Sequence, residues 1–351
     1  MKKTLTILIA LLILLPSVGL AQTTIDPSLN RRIMPRQGSV NNPVIPGESM
    51  TTGLPSDEPY IPILVNIDNV SGAWPQWGIS KADIIYEMPI HGLGLTRLMA
   101  LFTHDHPASV GPVRSGRVMH AEMREEWDAG WVYVGVQEKE GSDVNSVLRK
   151  LEVRDKTVNL LFNGVTNKWG AYFEFVKGYQ SPHNHGAPLD QFAETIKDYA
   201  FPQRPFLFAD ALPASGDPAT SIHLAYGTDG GSYSNSSYTY DPVRNTYARF
   251  RQNKPYEDRD QPGVALTFSN VIVQWTKLQF NGAANAPLLT LIGKGNADIF
   301  MGGKHIGGYW VRESMESRTV FYDQDGQEIR LQRGKTFINI TADRSTKVSY
   351  E

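Results

Sequence analysis

The periodicity of the apolar residues changes once along the chain, near residue 220, and this change limits the folds available to it. Before that point, short apolar runs typical of strands alternate with segments of helical spacing, such as residues 143–151 and 189–199. After it, short strand-like runs follow one another between hairpin signals such as Gly302-Gly303 and Asp325-Gly326. The pattern indicates two domains of different class.

We therefore predict an α/β sandwich as the N-terminal domain, followed by an all-β C-terminal domain that is a small barrel or sandwich. The predicted boundaries are residues 1–21 for a signal peptide, 22–58 for a Pro-rich linker, 59–205 for the α/β domain, 206–219 for a connection and 220–345 for the all-β domain. About 290 residues remain after the first two segments, which is enough for two ordinary domains.

The first 21 residues have the order of charged, apolar and small residues that is typical of a secretory signal peptide. Lys2 and Lys3 precede an apolar run over residues 5–15, and small residues lead to Ala21. We expect cleavage after Ala21 and an extracytoplasmic protein, either secreted or held in the cell envelope. The alternative is an uncleaved anchor, although the apolar run is short for a spanning helix. Contact with a membrane is expected only through this segment, if at all.

The composition excludes several classes of protein. The chain has no cysteine, which excludes disulfides, thiol catalysis, thiolate metal sites and a lipidated N-terminal cysteine. A formal net charge of −2 shows no basic excess and argues against nucleic acid as a partner. Residues 22–58 hold five prolines and few large apolar residues, which predicts a flexible, partly extended spacer.

The segment over residues 96–117 indicates a buried strand, a loop and the start of a helix. Ser115 is a good N-cap for that helix, and Arg114 and Arg117 flank it three residues apart. Cations are mildly disfavoured at a helix N-terminus, so two arginines there predict a negative group held between them. That group is either an external anionic ligand or an internal carboxylate, and the residues alone leave the two interpretations equal.

Polar residues also occur on the two strands predicted before this segment. Asp68 and Asn69 follow the buried run over residues 61–67, at the strand end where open α/β sheets bind ligands. Glu87 lies within the apolar strand over residues 83–90, where a charge needs a partner.

The partner of Glu87 depends on the register of the following hairpin. If its loop centres on Leu93, Glu87 faces Met99 and lies diagonal to Arg97, whereas a slip of one residue puts Glu87 and Arg97 on opposite faces. A structural ion pair with Arg97 or with the Arg114/Arg117 pair is favoured over a catalytic role for Glu87.

Two groups of short motifs resemble the YerB-like family of bacterial proteins. The first group is Ile67-Asp68-Asn69, Pro75-Gln76, Gly78, Ala82-Asp83, Tyr86-Glu87, Thr96-Arg97, Gly111-Pro112-Val113-Arg114-Ser115 with Arg117, and Pro182-His183-Asn184. The second is Tyr247-Ala248-Arg249 and Asn270-Val271-Ile272-Val273-Gln274, so the resemblance covers roughly residues 60–340. That family is described as lipoproteins built from a pair of domains of unknown function. The resemblance implies cell-envelope work, near peptidoglycan synthesis, and brings no established catalytic residues.

The chain departs from this family at two places. It lacks the cysteine that a lipoprotein acylates, so it should be secreted or retained by other means. After Tyr133 the family continues with a turn similar to His-Gly-Gly-Ser, whereas residues 134–139 here are VGVQEK. No chemistry of a family histidine can therefore be transferred to that turn.

The leading functional hypothesis is a non-catalytic envelope protein that binds an anionic glycan or a peptide carboxylate, related to peptidoglycan. The candidate ligand-binding residues are Arg97, Arg114, Ser115, Arg117, Asn69, His183 and Asn184. One alternative is a hydrolase of a cell-wall polymer with Glu87 and Asp68 as its carboxylate pair and His183 as a further catalytic candidate. Another is a structural scaffold for envelope enzymes. We expect no cofactor and no metal, and the expected partners are wall glycan or peptide and envelope biosynthesis proteins.

Overall fold

A computed structural model describes residues 21–27, 41–91, 94–153, 158–227, 234–281, 286–343 and 345–351. The α-helices of these residues are α1 (Val118–Glu125), α2 (Val144–Lys150) and α3 (Leu189–Ile196). The strands are, in chain order, β1 (Thr23–Thr24), β2 (Ile63–Ile67), β3 (Ile84–His91), β4 (Leu95–Phe102), β5 (Gly130–Tyr133), β6 (Leu161–Asn163), β7 (Glu174–Phe175), β8 (His185–Gly186), β9 (Phe208–Ala209), β10 (Asp217–Pro218), β11 (Ser221–Tyr226), β12 (Ser236–Asp241), β13 (Thr246–Arg251), β14 (Lys254–Pro255), β15 (Thr267–Phe268), β16 (Asn270–Trp275), β17 (Leu278–Asn281), β18 (Ala286–Leu289), β19 (Gly293–Met301), β20 (Lys304–Arg312), β21 (Val320–Asp323), β22 (Leu331–Gln332), β23 (Thr336–Thr341) and β24 (Thr346–Tyr350).

One large mixed sheet runs through both halves of the sequence. Its strand order is β10-β20-β19-β16-β23-β3-β4-β2-β5-β6, with β21 paired to β20. The two halves meet where β23 pairs in parallel with β3, with Ile338 opposite Tyr86. Strands near the centre of this sheet, such as β16 and β23, are buried along their whole length, as expected for strands covered on both faces.

Different layers cover the two faces of the large sheet. Helices α1 and α2 pack on one face, where Met119 and Leu148 contact a core that includes Leu64 and Ile338. On the other face lie α3 and a smaller antiparallel sheet of order β1-β24-β11-β12-β13-β14, with β15 paired to β13. The result is a layered, mostly β fold in which the described strands close no barrel.

The predicted division into an α/β domain and a separate all-β domain is not confirmed. Strands from residues 59–205 and from residues 220–345 share the large sheet, because β3 is buried from Ile84 to Ile90 and β23 pairs with its edge. The last strand, β24, lies beyond the predicted end at residue 345 and belongs to the smaller sheet. The predicted connection, residues 206–219, contributes β9 and β10 to the sheets.

The described parts of the predicted Pro-rich linker are packed on the folded body, so the prediction of a flexible spacer is wrong for them. Strand β1 pairs with β24, and Ile25 is buried beside Val348. Further along, Met50 and Thr51 are buried, and the Thr51 hydroxyl donates a 3.0 Å hydrogen bond to Asp83. Few apolar residues thus suffice to fix this segment, because its polar side chains find partners on the body.

Several local predictions are confirmed. The helical spacing of residues 143–151 corresponds to helix α2, whose N-cap Asp143 accepts a 2.9 Å bond from the Asn145 N–H. Gly302-Gly303 joins β19 to β20 with φ of 60° and 71°, as the tight hairpin requires. Residues 1–20, which contain nearly all of the predicted signal peptide, lie outside the described residues. Within the described part of the chain, no helix is long and apolar enough to span a bilayer.

Candidate functional site

Asp68 is the centre of the candidate site. It follows the C-terminal end of β2, and only 1% of its side chain is exposed. Its Oδ2 lies 2.9 Å from Arg114 Nε and 2.7 Å from His183 Nδ1, and its Oδ1 lies 3.4 Å from Arg97 Nη2. Burial raises the pKa of Asp68, but Arg97, the hydrogen bond with His183 and Arg114 outweigh burial, so the net pKa is lowered. Asp68 is therefore an ionised internal carboxylate.

The loop that carries Arg114 and Arg117 is held between two segments of the sheet. The Arg114 N–H donates to the Asn66 carbonyl at 2.9 Å, and the Gly116 N–H donates to the Gly135 carbonyl at 3.0 Å. The neighbouring Val113 forms a bridge with Ile67, at the end of β2. Both sides of the loop are thus fixed by backbone hydrogen bonds, which keeps the two arginines in place.

The helix after this loop begins later than predicted. Helix α1 starts at Val118, and its N-cap is Arg117 rather than Ser115. The Ser115 carbonyl instead accepts hydrogen bonds from Arg97 Nη1 at 2.9 Å and from Asn66 Nδ2 at 3.2 Å. These bonds hold Ser115 outside the helix, so its predicted capping role is wrong.

His120 lies in the first turn of α1 and forms a capping box with Arg117. It was not among the residues predicted from the sequence. Its Nδ1 accepts from the Arg117 N–H at 3.1 Å and lies 2.9 Å from Asn66 Nδ2. Burial lowers the pKa of His120 well below its ordinary value, and the charges of Arg97 and Arg117 lower it further. His120 is thus a neutral acceptor, and its spacing three residues after Arg117 is the signal that could have found it.

Three arginines lie near one carboxylate in this cluster, and two of them pair with it. Among the described carboxylates, only Asp68 forms an ion pair with Arg97, Arg114 or Arg117. Arg117 directs Nη1 to the carbonyls of Ser115 at 3.4 Å and Gly116 at 2.9 Å. Burial, followed by repulsion from Arg114, lowers the pKa of Arg117, and burial lowers that of Arg97 to about 10. The cluster therefore carries excess positive charge in partly buried surroundings.

Glu87 belongs to a different set of contacts. The register pairs it with Leu98, and Met88 with Arg97, so the predicted placement opposite Met99 is wrong by one residue. The loop predicted to centre on Leu93 lies outside the described residues. Glu87 and Arg97 consequently point to opposite faces of the sheet.

The ionic partner of Glu87 is Arg249 of β13, not any of the three predicted arginines. The Arg249 Nη2 donates to Glu87 Oε2 at 2.8 Å, and neither side chain is exposed to solvent. Asn69 and Thr96 donate to the other Glu87 oxygen at 3.0 and 2.6 Å. The predicted catalytic carboxylate pair of Glu87 and Asp68 is therefore wrong, because Glu87 is buried and hydrogen-bonded at both oxygens and cannot reach an external substrate.

Asn69 extends these buried contacts to a second arginine. Arg251 donates from Nη1 to Asn69 Oδ1 at 2.7 Å and from Nη2 to the Asn69 carbonyl at 2.9 Å. Its guanidinium also lies 3.7 Å from the ring centre of Trp74. Asn69 is thus part of the junction between the two halves and is not available to an external ligand, contrary to its prediction as a binding residue.

Alternation along β13 could have identified these two arginines from the sequence. Tyr247, Arg249 and Arg251 occupy the buried positions of a strand with a strict inside–outside pattern. A period of two that places arginines among buried tyrosines predicts buried partners for their charges. The partners themselves could not be found, because Glu87 and Asn69 are about 160 and 180 residues away in the sequence.

His183 and Asn184 lie in the turn before β8. His183 is bound to Asp68, as given above, and 24% of its side chain is exposed. The buried Oδ1 of Asn184 accepts no hydrogen bond in the described part of the chain, and its carbonyl accepts from the Val176 N–H at 2.8 Å. The structure therefore brings Arg97, Arg114, Arg117 and His183 around Asp68, while Asn69 and Glu87 face away from them.

The described residues hold no group of three or more His, Asp or Glu side chains arranged to bind a metal ion. His104 and His106, two residues apart in the sequence, have separate partners. His104 Nδ1 lies 3.0 Å from the Glu58 carbonyl, and His106 Nε2 lies 2.8 Å from the Ile61 carbonyl.

We expect Asp68→Asn to remove part of the acid sensitivity of the fold. Because the folded-state pKa of Asp68 lies below its ordinary value of 3.8, its ionised form stabilises the fold above that value. This contribution is lost as the pH falls through the lowered pKa. Urea unfolding between about pH 6 and about pH 2 should therefore show a shallower acid loss of stability for the variant.

A control for this measurement is Asp105→Asn, which removes an exposed carboxylate that pairs with Lys81. Its acid dependence should match that of the unmodified protein, since exposed pairs contribute little to stability. An identical pH dependence for the Asp68 variant and the unmodified protein would contradict the assignment of Asp68 as a buried ionised group.

Comparison with known proteins gives consistent matches over both halves. Residues 51–201 match the "Protein of unknown function (DUF3048) N-terminal domain", and residues 224–338 match the corresponding C-terminal domain. A Bacillus subtilis (strain 168) protein named "Putative lipoprotein YerB" is 28% identical over 302 residues, which are 83% of this chain and 85% of that one. The crystal structure of YerB from Bacillus subtilis aligns with a TM-score of 0.72 at 24% identity, over 86% of this chain and 99% of the other.

Proposed function

The chain belongs to the DUF3048 family, with both the N- and the C-terminal domain, and on this premise we propose that it is an extracytoplasmic envelope protein that binds an anionic ligand without catalysis. The ligand is an anionic glycan or a peptide carboxylate of the cell wall. It binds at Arg114 and Arg117, with His183 and Arg97 behind them. The name of the Bacillus subtilis relative and the signal-like residues 1–21 support the location.

The observation that carries this proposal is the imbalance of charge around Asp68. One carboxylate pairs with Arg97 and Arg114, and the described carboxylates offer Arg117 no ion pair. Holding a third guanidinium in partly buried surroundings costs free energy, as the lowered pKa of Arg117 indicates. A bound anion would offset this cost through the open N–H groups of the guanidinium fork. Binding of an anion would thus explain the excess positive charge around Asp68, which folding alone does not require.

The second candidate is a structural scaffold for envelope enzymes. It is favoured by the internal pairing of Asp68 with Arg97 and Arg114, which gives two of the three arginines an ion partner without any ligand. Under this alternative, Arg117 would be an ordinary half-buried cation whose N–H groups are solvated.

Arg117→Gln separates the two candidates. We expect the variant to bind soluble muropeptides, prepared by digestion of bacterial cell wall, about tenfold more weakly, because a charged hydrogen-bonded pair contributes about 1.5–3 kcal/mol. Isothermal titration calorimetry would measure the dissociation constants. Arg244→Gln is the matched control, since Arg244 is an exposed arginine paired with Asp241. Equal affinities for Arg117→Gln and the unmodified protein would support the scaffold instead.

A further inference from the structure

Two exposed apolar side chains lie beside the arginine loop, residues 113–117. Phe175 is 71% exposed and Val165 is 64% exposed, whereas most large apolar residues of the protein are buried. Single exposed apolar residues are normal on protein surfaces and need no explanation. These two differ because they flank the same short cationic loop from different elements.

Phe175 reaches the loop through the β7–β8 pair. It pairs with His185, and the two ring centres are 4.9 Å apart. The His185 carbonyl accepts a 2.8 Å hydrogen bond from the Val113 N–H, one residue before Arg114. Burial lowers the pKa of His185, and repulsion from Arg114 lowers it further. Phe175 thus stands at the edge of the loop on the side of Arg114.

Val165 reaches the loop on the side of Ser115. A Cβ built on Gly135 would lie 3.8 Å from Val165 Cγ1 and 4.0 Å from Ser115 Oγ, so both side chains border the same glycine. The Gly135 carbonyl is also the acceptor for the Gly116 N–H, one residue before Arg117. The loop therefore has an exposed apolar side chain on each flank and partly recessed guanidinium groups between them.

We propose that the ligand of this site is the C-terminal carboxylate of a peptide whose last residues are apolar. This inference rests on the proposed function and narrows its ligand class. A ligand that fills the site needs a narrow anionic end to reach Arg114 and Arg117, and apolar groups beside that end to cover Phe175 and Val165. A glycan offers few such apolar groups next to its carboxylate. The last residue of a peptide carries both a carboxylate and an apolar side chain.

Asp68 offsets part of the positive charge of the site. Asp68 lies 2.9 Å from Arg114, so any bound anion is also repelled by this carboxylate. The three arginines outweigh this repulsion, so the charge of the site attracts an anion but does not select a monoanion over a dianion. A planar carboxylate also matches the fork of one guanidinium in a bidentate arrangement.

The test uses three synthetic peptides on the full chain: N-acetyl-Ala-Leu with a free carboxylate, the same peptide as a carboxamide, and N-acetyl-Ala-Ser with a free carboxylate. We expect the free Leu peptide to bind about tenfold more tightly than its carboxamide and about fivefold more tightly than the Ser peptide. Titration followed by NMR or calorimetry would give the three affinities.

Two variants test whether Val165 and Phe175 cause the preference for the Leu peptide over the Ser peptide. Val165→Ser and Phe175→Ser should each reduce the preference for Leu over Ser, and the double variant should abolish it, while the affinity for the Ser peptide stays unchanged. Val243→Ser is the matched control, because Val243 is 92% exposed in the turn between β12 and β13. It should leave all three affinities unchanged, which also guards against a general effect of reduced surface hydrophobicity.

Four outcomes would overturn the inference. They are equal binding of carboxylate and carboxamide, an unchanged Leu preference in the Val165 and Phe175 variants, tighter binding of inorganic phosphate than of the Leu peptide, and binding of anionic phospholipid vesicles that depends on Phe175 in place of peptide binding. If muropeptides still bind in an Arg117-dependent way, the proposed function survives such a result. If Arg117→Gln changes the affinity for none of these anions, the proposed function fails as well.

Discussion

Replacing Arg249 by methionine is expected to lower the free energy of unfolding by about 3–5 kcal/mol, because it leaves the Glu87 carboxylate buried without its counter-ion. Both side chains are fully buried, and the Arg249–Glu87 contact is 2.8 Å. Burial opposes the charge of Arg249, but Tyr238 and Glu87 outweigh burial and raise its pKa. Arg249 therefore stays charged in the folded protein, and its loss cannot be compensated by solvent.

Urea unfolding of Arg249→Met, Glu87→Gln and the double variant would test this expectation. The double variant should lose less stability than the sum of the single losses, since it leaves neither charge alone in the interior. Arg244→Met, at an exposed position, should change stability by at most about 0.5 kcal/mol. A loss of less than about 1 kcal/mol for Arg249→Met would contradict the assignment of this contact as a buried ion pair.

Separate expression of the two halves, residues 41–205 and residues 206–351, is expected to yield no cooperatively folded protein from either. Without its partner half, the first fragment would expose the edge of β3, a strand whose residues Ile84–Ile90 are all buried in the full chain. It would also leave Glu87 without Arg249. Long apolar edge strands promote aggregation, and isolated buried charges destabilise the folded state.

Calorimetry and denaturant titration would measure this effect. The full chain should unfold in one cooperative transition, and the separate fragments should show no sharp transition. Co-expression of the two fragments is the control, because pairing of β23 with β3 can restore the sheet between separate chains. A fragment of residues 41–205 that unfolds cooperatively on its own would show that the shared sheet is not needed for folding.

Local features of the fold could be predicted from the sequence because their causes are local. The helix within residues 143–151, the hairpin at Gly302-Gly303 and the apolar strand Ile63–Ile67 each depend on neighbouring residues. The sharing of one sheet between the two halves could not be predicted, because strand order is set by long-range pairing. Nothing in the local pattern of β23 indicates that its neighbour is β3, about 250 residues earlier.

The sequence predicted which residues form the candidate site better than it predicted which of them contact each other. The sequence singled out Asp68, Arg97, Arg114, Arg117 and His183, and the structure brings these five together. The prediction from the sequence paired Glu87 with the wrong arginines, because a slip of one residue in register exchanges the two faces of a strand. The true partner lies in the other half of the chain, where only the buried positions of β13 gave a signal.

Asp68 and Asn69 are separated by a single peptide bond, yet they serve different regions of the molecule. The carboxylate of Asp68 pairs with Arg97 and Arg114, whereas the side-chain amide of Asn69 accepts a hydrogen bond from Arg251 of the other half. A rotation of this peptide that loosens one set of bonds strains the other. Under the proposed function, a ligand that displaces Asp68 would also displace Asn69 and weaken its contact with Arg251, and by thermodynamic reciprocity a change in that contact would alter the affinity for the ligand.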